Sequence, residues 1–432
     1  MSVVNEKKYS KQLMFTDESQ NSSLQLPIDE IVDNDRRGFL KRTGVATIAA
    51  MVGTSIPFQH NLPIGFVPAA LAQGNILSGK DGLTLLNDRP VNAETPPELL
   101  DDGITPTNRH FIRNNGIPPE DIDPKTWTLT IDGFVDNPMT LTIADLRDQF
   151  DVVTMALTLE CGGNGRGFFN PPAKGNQWTY GAVACSNWTG VRLKDVLKKA
   201  GVQSTVIYTA HYGADGHLSG DPDKLPISRG IPIEKAMTEN VLIAFEMNGD
   251  ALHPMNGAPL RLVVPGWPAS TAQKWLKRIE LRDQVHDGPK MTGKAYRVPA
   301  YKVSPGQDVP EEDFVIIERM PVKSLVTFPA NDSNVGLQSD VRGHAWSGDR
   351  TVDKVEISID FGATWMQAEL DKPVNSGAWQ NWRANVRFPQ SGYYEVWARA
   401  TDNEGVMQPF AIDWNPKGYL NNTMHRVGLR VS

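Results

Sequence analysis

The sequence predicts an α+β domain followed by an all-β, immunoglobulin-like sandwich, and three observations carry that expectation. At 432 residues the chain is too long for one compact core, so two domains plus an N-terminal extension are expected. Hydrophobic periodicity is mixed as far as about Glu312 and then strand-like only. The 31 prolines and 37 glycines favour a body rich in loops and strands over a helical bundle.

The expected divisions are 1–72, 73–315 and 316–432. Residues up to about Asn34 are polar. Arg36-Arg37 then precede a mildly apolar run, Thr43 to Gly53, and Ala70-Leu71-Ala72 closes the segment. A paired arginine before such a run, ending in A-x-A, reads as a twin-arginine export signal. The competing reading is a buried or membrane-anchoring helix, but the run falls short of the roughly 20 apolar residues a bilayer span needs. With no other candidate span, the mature chain is expected to be soluble and periplasmic.

Gln73 to about Thr107 reads as an extended wrapping arm. Trp127 to Phe134 alternates at period two, as a half-buried strand does. Thr142, with Asp145 three residues on, is a helix N-cap. Val191 to Ala200 is apolar at helical spacing and is stopped by Gly201. Val206–Ala210 and Leu260–Val264 read as buried strands. Beyond Glu318, Val355–Phe361 and Tyr394–Ala400 alternate cleanly, with turns at Gly362 and Asp402-Asn403. Trp267, Trp346, Trp365, Trp382 and Trp397 read as packing residues.

A formal charge of −7 argues against a nucleic-acid partner. An anionic substrate would therefore need a local cationic pocket. Two cysteines exclude a disulfide-built scaffold, covalent haem and a Cys-rich zinc or iron–sulfur site. Cys161 ends the apolar run Leu157-Thr158-Leu159-Glu160 and is followed by Gly162-Gly163-Asn164-Gly165-Arg166. Glycines let backbone approach a ligand closely, and a soft thiolate suits a soft or high-valent metal. Two other fates stay open: a disulfide with Cys185 in an oxidising compartment, or a free buried thiol. Cys185, among small neighbours, reads as the latter.

The Cys161–Arg166 segment resembles the cysteine motif of the sulfite oxidase family of molybdopterin enzymes. Phe111-Ile112-Arg113-Asn114-Asn115 is similar to that family's Phe-x-Arg-Asn-His stretch. Phe245–Gly249, His253, Arg261–Gly266 and Lys274-Trp275-Leu276 resemble its pterin-holding segment. Tyr296-Arg297 matches its active-site tyrosine with an adjacent basic residue, and Trp178 its pocket-wall tryptophan. Trp414–Leu420 with His425-Arg426-Val427 is similar to the end of its dimerisation domain.

The resemblance implies a molybdenum–molybdopterin cofactor with Cys161 as the protein ligand to the metal. It implies an oxyanion pocket of Arg113, Arg166 and Lys417 with Tyr296 and Trp178. Asn114, Asn115, His253, Arg261 and Lys274 fall to the pterin. The implied reaction is oxidation of sulfite by oxygen-atom transfer. Electrons are expected to go to an external carrier such as a c-type cytochrome, and the chain to form a homodimer. Two alternatives stand beside it: a sulfane-sulfur dehydrogenase within a sulfur-oxidising complex, and a catalytically inactive binding relative. Two residues depart from the family. Asn115 stands at a histidine position, and Lys417, which keeps charge without bidentate geometry, at an arginine position.

Overall fold

The computed structural model describes residues 77–120 and 122–432. The twin-arginine segment lies outside the described residues. Strands dominate, and the α-helices among the described residues are short: Ile143–Gln149, Leu193–Ala200 and Ile233–Ala236. The fold is thus mostly β, with less helix than the α+β expectation carried. Each helical-period stretch is only one or two turns long and is flanked by strand.

The expected wrapping arm is a correction. Thr84–Asp88 and Val91–Glu94 form an antiparallel hairpin, and Val91–Glu94 also pairs with Ile112–Arg113. Arg113 therefore sits on a sheet strand, where backbone pairing fixes its direction.

Two five-stranded sheets follow. In one, the neighbouring strands Leu242–Met247, Val183–Arg192 and Val152–Glu160 are antiparallel, with Arg261–Val263 also on Leu242–Met247. The other runs Met139–Thr142, Thr128–Gly133, Leu276–Arg282, Tyr208–Gly213, Ser228–Pro232. Thr142 caps its helix as expected: its hydroxyl accepts from the Asp145 amide at 3.1 Å and the Asp145 carboxylate accepts from the Thr142 amide at 2.8 Å. The second helix starts at Leu193, because Val191 and Arg192 still belong to the preceding strand, where they pair with Ile243 and Leu242. Gly201 ends it in a left-handed conformation, φ +72°, which a residue without Cβ adopts at no steric cost.

From Val322 onward the chain makes a four-stranded and a five-stranded sheet. Their inner faces share one core, with Val326, Val341, Trp382 and Val386 from the first sheet meeting Val355, Ile357, Val396 and Leu429 from the second. This is the alternation read at Val355 and Tyr394, realised as Val352–Ser358 and Gly392–Asp402. A further cluster of Ala156, Val183 and Cys185 with Leu325, Trp346 and Trp379 joins the two parts directly behind the Cys161 strand. No helix among the described residues is long and apolar enough to cross a membrane.

Candidate active site

Cys161 follows the last residue of Val152–Glu160, which pairs with Val183–Arg192 over its whole length, Glu160 opposite Val183. Its amide donates to the Ala182 carbonyl at 2.9 Å, and its carbonyl accepts from the Asn164 amide at 2.8 Å. Gly165 turns the chain at φ +89°. Both cysteines are free and buried, so the disulfide alternative is not adopted. Burial pushes the Cys185 thiol up to about 11, which leaves it inert at neutral pH.

The residue before the thiol is clamped from the other part of the chain. The Glu160 carboxylate accepts from Lys323 Nζ at 2.5 Å, Asn164 Nδ2 at 3.0 Å and Trp346 Nε1 at 2.9 Å. Trp346 thus does more than the packing expected of it. The Lys323–Glu160 ion pair is buried on both sides.

Arg113 lies beside the Cys161 thiol and the Tyr296 phenol. Burial alone would lower its pKa, but those two groups and Tyr419 hold it above the ordinary arginine value. Its Nη2 donates to Tyr296 Oη at 3.0 Å and to Asn115 Oδ1 at 2.9 Å. Asn115 Oδ1 also accepts from Tyr296 Oη at 3.2 Å and from Lys290 Nζ at 2.7 Å. Tyr296 is buried and held at φ +53°. Its ring stacks on Tyr419 at 5.7 Å, and its amide donates to the Tyr419 hydroxyl at 3.2 Å. Burial would raise the Tyr296 phenol, yet Arg113 and Lys290 bring it below its usual value.

Arg166 is held in a cradle of glycines. Its Nε donates to the Lys417 carbonyl at 2.9 Å and its Nη1 to the Asn176 carbonyl at 3.1 Å, with the guanidinium over the Tyr419 ring. A Cβ on Gly163 would lie 2.5 Å from its Nη2, and one on Gly418 2.7 Å from its Cγ. Lys417 is half-buried, and burial followed by repulsion from Arg166, Lys294 and Lys174 lowers its pKa. Trp178 is fully buried in the cluster that contains Cys161, and its Nε1 has no partner. Arg113, Tyr296 and Arg166 are thus brought together through Cys161 and Tyr419, with Trp178 packed in the Cys161 cluster and Lys417 joined to Arg166 through its backbone carbonyl.

A cavity opens beside Arg113, lined by Asn115, Asp215, Arg261, Gln273 and Lys274 among others. Lys274 Nζ donates to Asn114 Oδ1 and to the Met255 carbonyl. Arg261 Nη1 donates to the Asn256 carbonyl at 2.7 Å, and burial brings its pKa down to about 9. Burial and then Arg261 bring Lys80 down to about 7, and burial, Arg261 and further cations hold Lys274 well below its ordinary value. Against this crowd stands Asp215, raised by burial to about 6. Arg261 Nε, Asp215 Oδ1, Gln273 Oε1 and Ser270 Oγ are buried without partners.

Of the residues expected at the pterin, Asn115, Arg261 and Lys274 line the cavity, Asn114 reaches it through Lys274, and His253 stands apart. Its Nε2 meets the Ser78 carbonyl and its Nδ1 accepts from the Met255 amide, so it caps a short 3-10 helix outside the cavity lining. Asn256, three residues on, is the one that lines it, accepting from Lys80 Nζ at 2.5 Å and donating to the Phe111 carbonyl at 3.1 Å. Pro254 opens that turn, and both His253 ring nitrogens are taken up by Ser78 and Met255. Asp215, Asn256, Lys80 and Lys290 were missed from the sequence. They come from four separated segments, and no local pattern marks any of them.

Unpaired buried polar atoms and mutually repelling cations are costly unless a ligand completes them. The residues present therefore fit a polar, anionic organic group. Among the described residues no three His, Cys, Asp or Glu side chains converge on a metal position, and Cys161 would be the residue to hold a metal that such a group carries. The fold and site together define an enzyme that holds an anionic cofactor next to one thiol.

The comparisons identify that class. Residues 115–290 match the oxidoreductase molybdopterin binding domain, and residues 315–432 the Mo-co oxidoreductase dimerisation domain. The chain is 33% identical to the sulfite oxidase of Gallus gallus over 361 residues, 80% of this chain and 77% of that protein. It is 34% identical to the mitochondrial sulfite oxidase of Homo sapiens, covering 81% of this chain and 66% of the human one. Among solved structures, the sulfane dehydrogenase SoxCD from Paracoccus pantotrophus matches with a TM-score of 0.66 at 26% identity, over 87% of this chain and 95% of that one. The chain belongs to the sulfite oxidase family of molybdopterin oxidoreductases, and its cofactor is molybdenum–molybdopterin.

Proposed function

We propose that the chain oxidises sulfite to sulfate in the periplasm, taking one water and releasing two protons and two electrons to an external carrier such as a c-type cytochrome. The observation that supports this reading is the placing of Arg113 and Arg166 on the paired Tyr296 and Tyr419 rings beside Cys161, with the Lys417 charge near Arg166. In a protein of net charge −7, such a cluster serves to draw in and orient a small oxyanion.

The cofactor, when bound, supplies oxygen-atom transfer and accepts the two electrons. Cys161 would hold its metal, and Arg261, Lys274 and Asn256 its polar edges and phosphate, with Lys80 behind them. Arg113 and Arg166 would bind substrate oxygens and fix which way sulfur faces. Tyr296, its phenol held low by two cations, is placed to hold a proton at its hydroxyl as charge on the oxyanion changes.

In this reading residues 316–432 form an immunoglobulin-like sandwich that joins two copies, and 73–315 the catalytic domain. The 1–72 segment directs twin-arginine export; replacing both Arg36 and Arg37 by Lys should retain the protein in the cytoplasm. Steady-state assays with sulfite and an artificial acceptor test the main reading. Arg113→Gln should cost roughly ten- to a hundredfold in kcat/KM, the worth of one desolvated charged hydrogen bond. Wild-type protein loaded with molybdenum yet inert toward sulfite would refute it. The likeness to SoxCD over 95% of that chain favours one second reading, oxidation of protein-bound sulfane sulfur within a sulfur-oxidising complex. A persulfide-bearing peptide oxidised in place of sulfite would establish it.

A further inference from the structure

Asn115 accepts hydrogen bonds on a single amide oxygen from Arg113, Lys290 and Tyr296, at 2.9, 2.7 and 3.2 Å. An amide oxygen is neutral, so it orients the two cations without cancelling either. The two cations therefore meet at one neutral oxygen, at the wall of the cavity that Arg113 and Asn115 line. Asp215 is the acidic neighbour that bears on Lys290, and it is itself buried and raised toward neutrality.

Lys290 reaches Asn115 from a strained backbone, φ +69°, a conformation a non-glycine residue keeps only when its surroundings enforce it. The enforcing residue is Arg229. It is fully buried, donates from Nη1 to the Lys290 carbonyl at 2.9 Å, and lies 5.0 Å from the Tyr296 ring centroid. Its Nε and Nη2 have no partner. One buried guanidinium thus fixes the Lys290 backbone and underlies the tyrosine that shares Asn115 with it.

We propose that Lys290 is a specificity-determining cation of the oxyanion pocket, aimed by its hydrogen bond to Asn115, with Arg229 as the positioning residue beneath it. The inference rests on the oxyanion reading above. It gives the Asn115 departure a physical meaning, because an amide oxygen can accept from an ammonium where a protonated imidazole cannot. The pocket then has a charge from Lys290 that is independent of Lys417.

The test compares holoenzyme with Lys290→Met and Lys290→Arg, using inorganic sulfate binding by calorimetry and sulfite kinetics. Methionine meets the same backbone strain as lysine, so the comparison isolates the charge. Lys290→Met should weaken sulfate binding and raise the sulfite KM roughly tenfold, as expected for one charge lost at short range in a partly screened site. Its kcat should stay within about twofold and its Tm unchanged, while Lys290→Arg should stay within about threefold of wild type in KM. Unchanged sulfate binding in Lys290→Met, or a fall in kcat with KM unmoved, would overturn this proposal while sulfite turnover by wild type keeps the oxyanion reading intact. A wild-type holoenzyme that neither binds sulfate nor oxidises sulfite would overturn both.

Discussion

Replacing Lys323 by Met tests whether the C-terminal part of the chain holds the cysteine turn. The Lys323–Glu160 pair is 7% and 2% exposed, and removing one partner of such a pair leaves a buried charge uncompensated, at about 3–5 kcal/mol. Glu160 keeps its bonds from Asn164 Nδ2 and Trp346 Nε1, so the lower figure, about 3 kcal/mol, is expected. Spread over the unfolding entropy of a chain this long, that corresponds to a Tm loss of about 4 °C. Adding Glu160→Gln removes the stranded charge, so the double variant should be less destabilised than the two single losses added together. Calorimetry on all four proteins measures the coupling, expected at about 2 kcal/mol. Lys323→Met should also lower molybdenum content, because Glu160 adjoins Cys161. A loss under about 1 kcal/mol, or losses that simply add, would refute the clamp.

Cys161→Ser should abolish turnover and metal retention with the fold kept, since a hard hydroxyl replaces a soft thiolate; full activity would remove Cys161 as the ligand. Cys185→Ser should be nearly silent in activity, because that thiol is buried and unpaired. Gly163→Ala places a methyl 2.5 Å from Arg166 Nη2, and with that guanidinium pinned at Nε and Nη1 the sulfite KM should rise roughly tenfold with little change in Tm. An unchanged KM would show that Arg166 does not bind substrate. Lys80, brought down to about 7 from 10.5, makes the folded state bind fewer protons than the unfolded one between those values. Its contribution to stability therefore rises with pH across that window. Wild type without cofactor should gain Tm relative to Lys80→Met between pH 7 and 9, and a shrinking difference would contradict the assignment.

The sequence by itself determined the things that depend on neighbours along the chain. Thr142 and Asp145 form a capping box because the pair is three residues apart, and Gly201 ends its helix because only the next turn matters. The alternation at Val355 and Tyr394 sorted side chains onto two faces before any partner strand was known. Cys161 stood out because a thiol at the end of an apolar strand, followed by glycines, is a local signal. The motif order around it carried the family. What only the tertiary structure decided is how separated segments complete one another's charges. Arg113 could be read as a pocket residue, but not that a hairpin at Thr84–Glu94 directs it or that it shares Asn115 with Lys290. His253 matched a motif in sequence, yet its ring nitrogens are taken up by Ser78 and Met255, and Asn256 lines the cavity. Lys80, Asp215, Arg229 and Lys323 had no periodicity or spacing to mark them. The reason is physical: burial and Coulomb interaction depend on distance through space, and a single sequence records only distance along the chain.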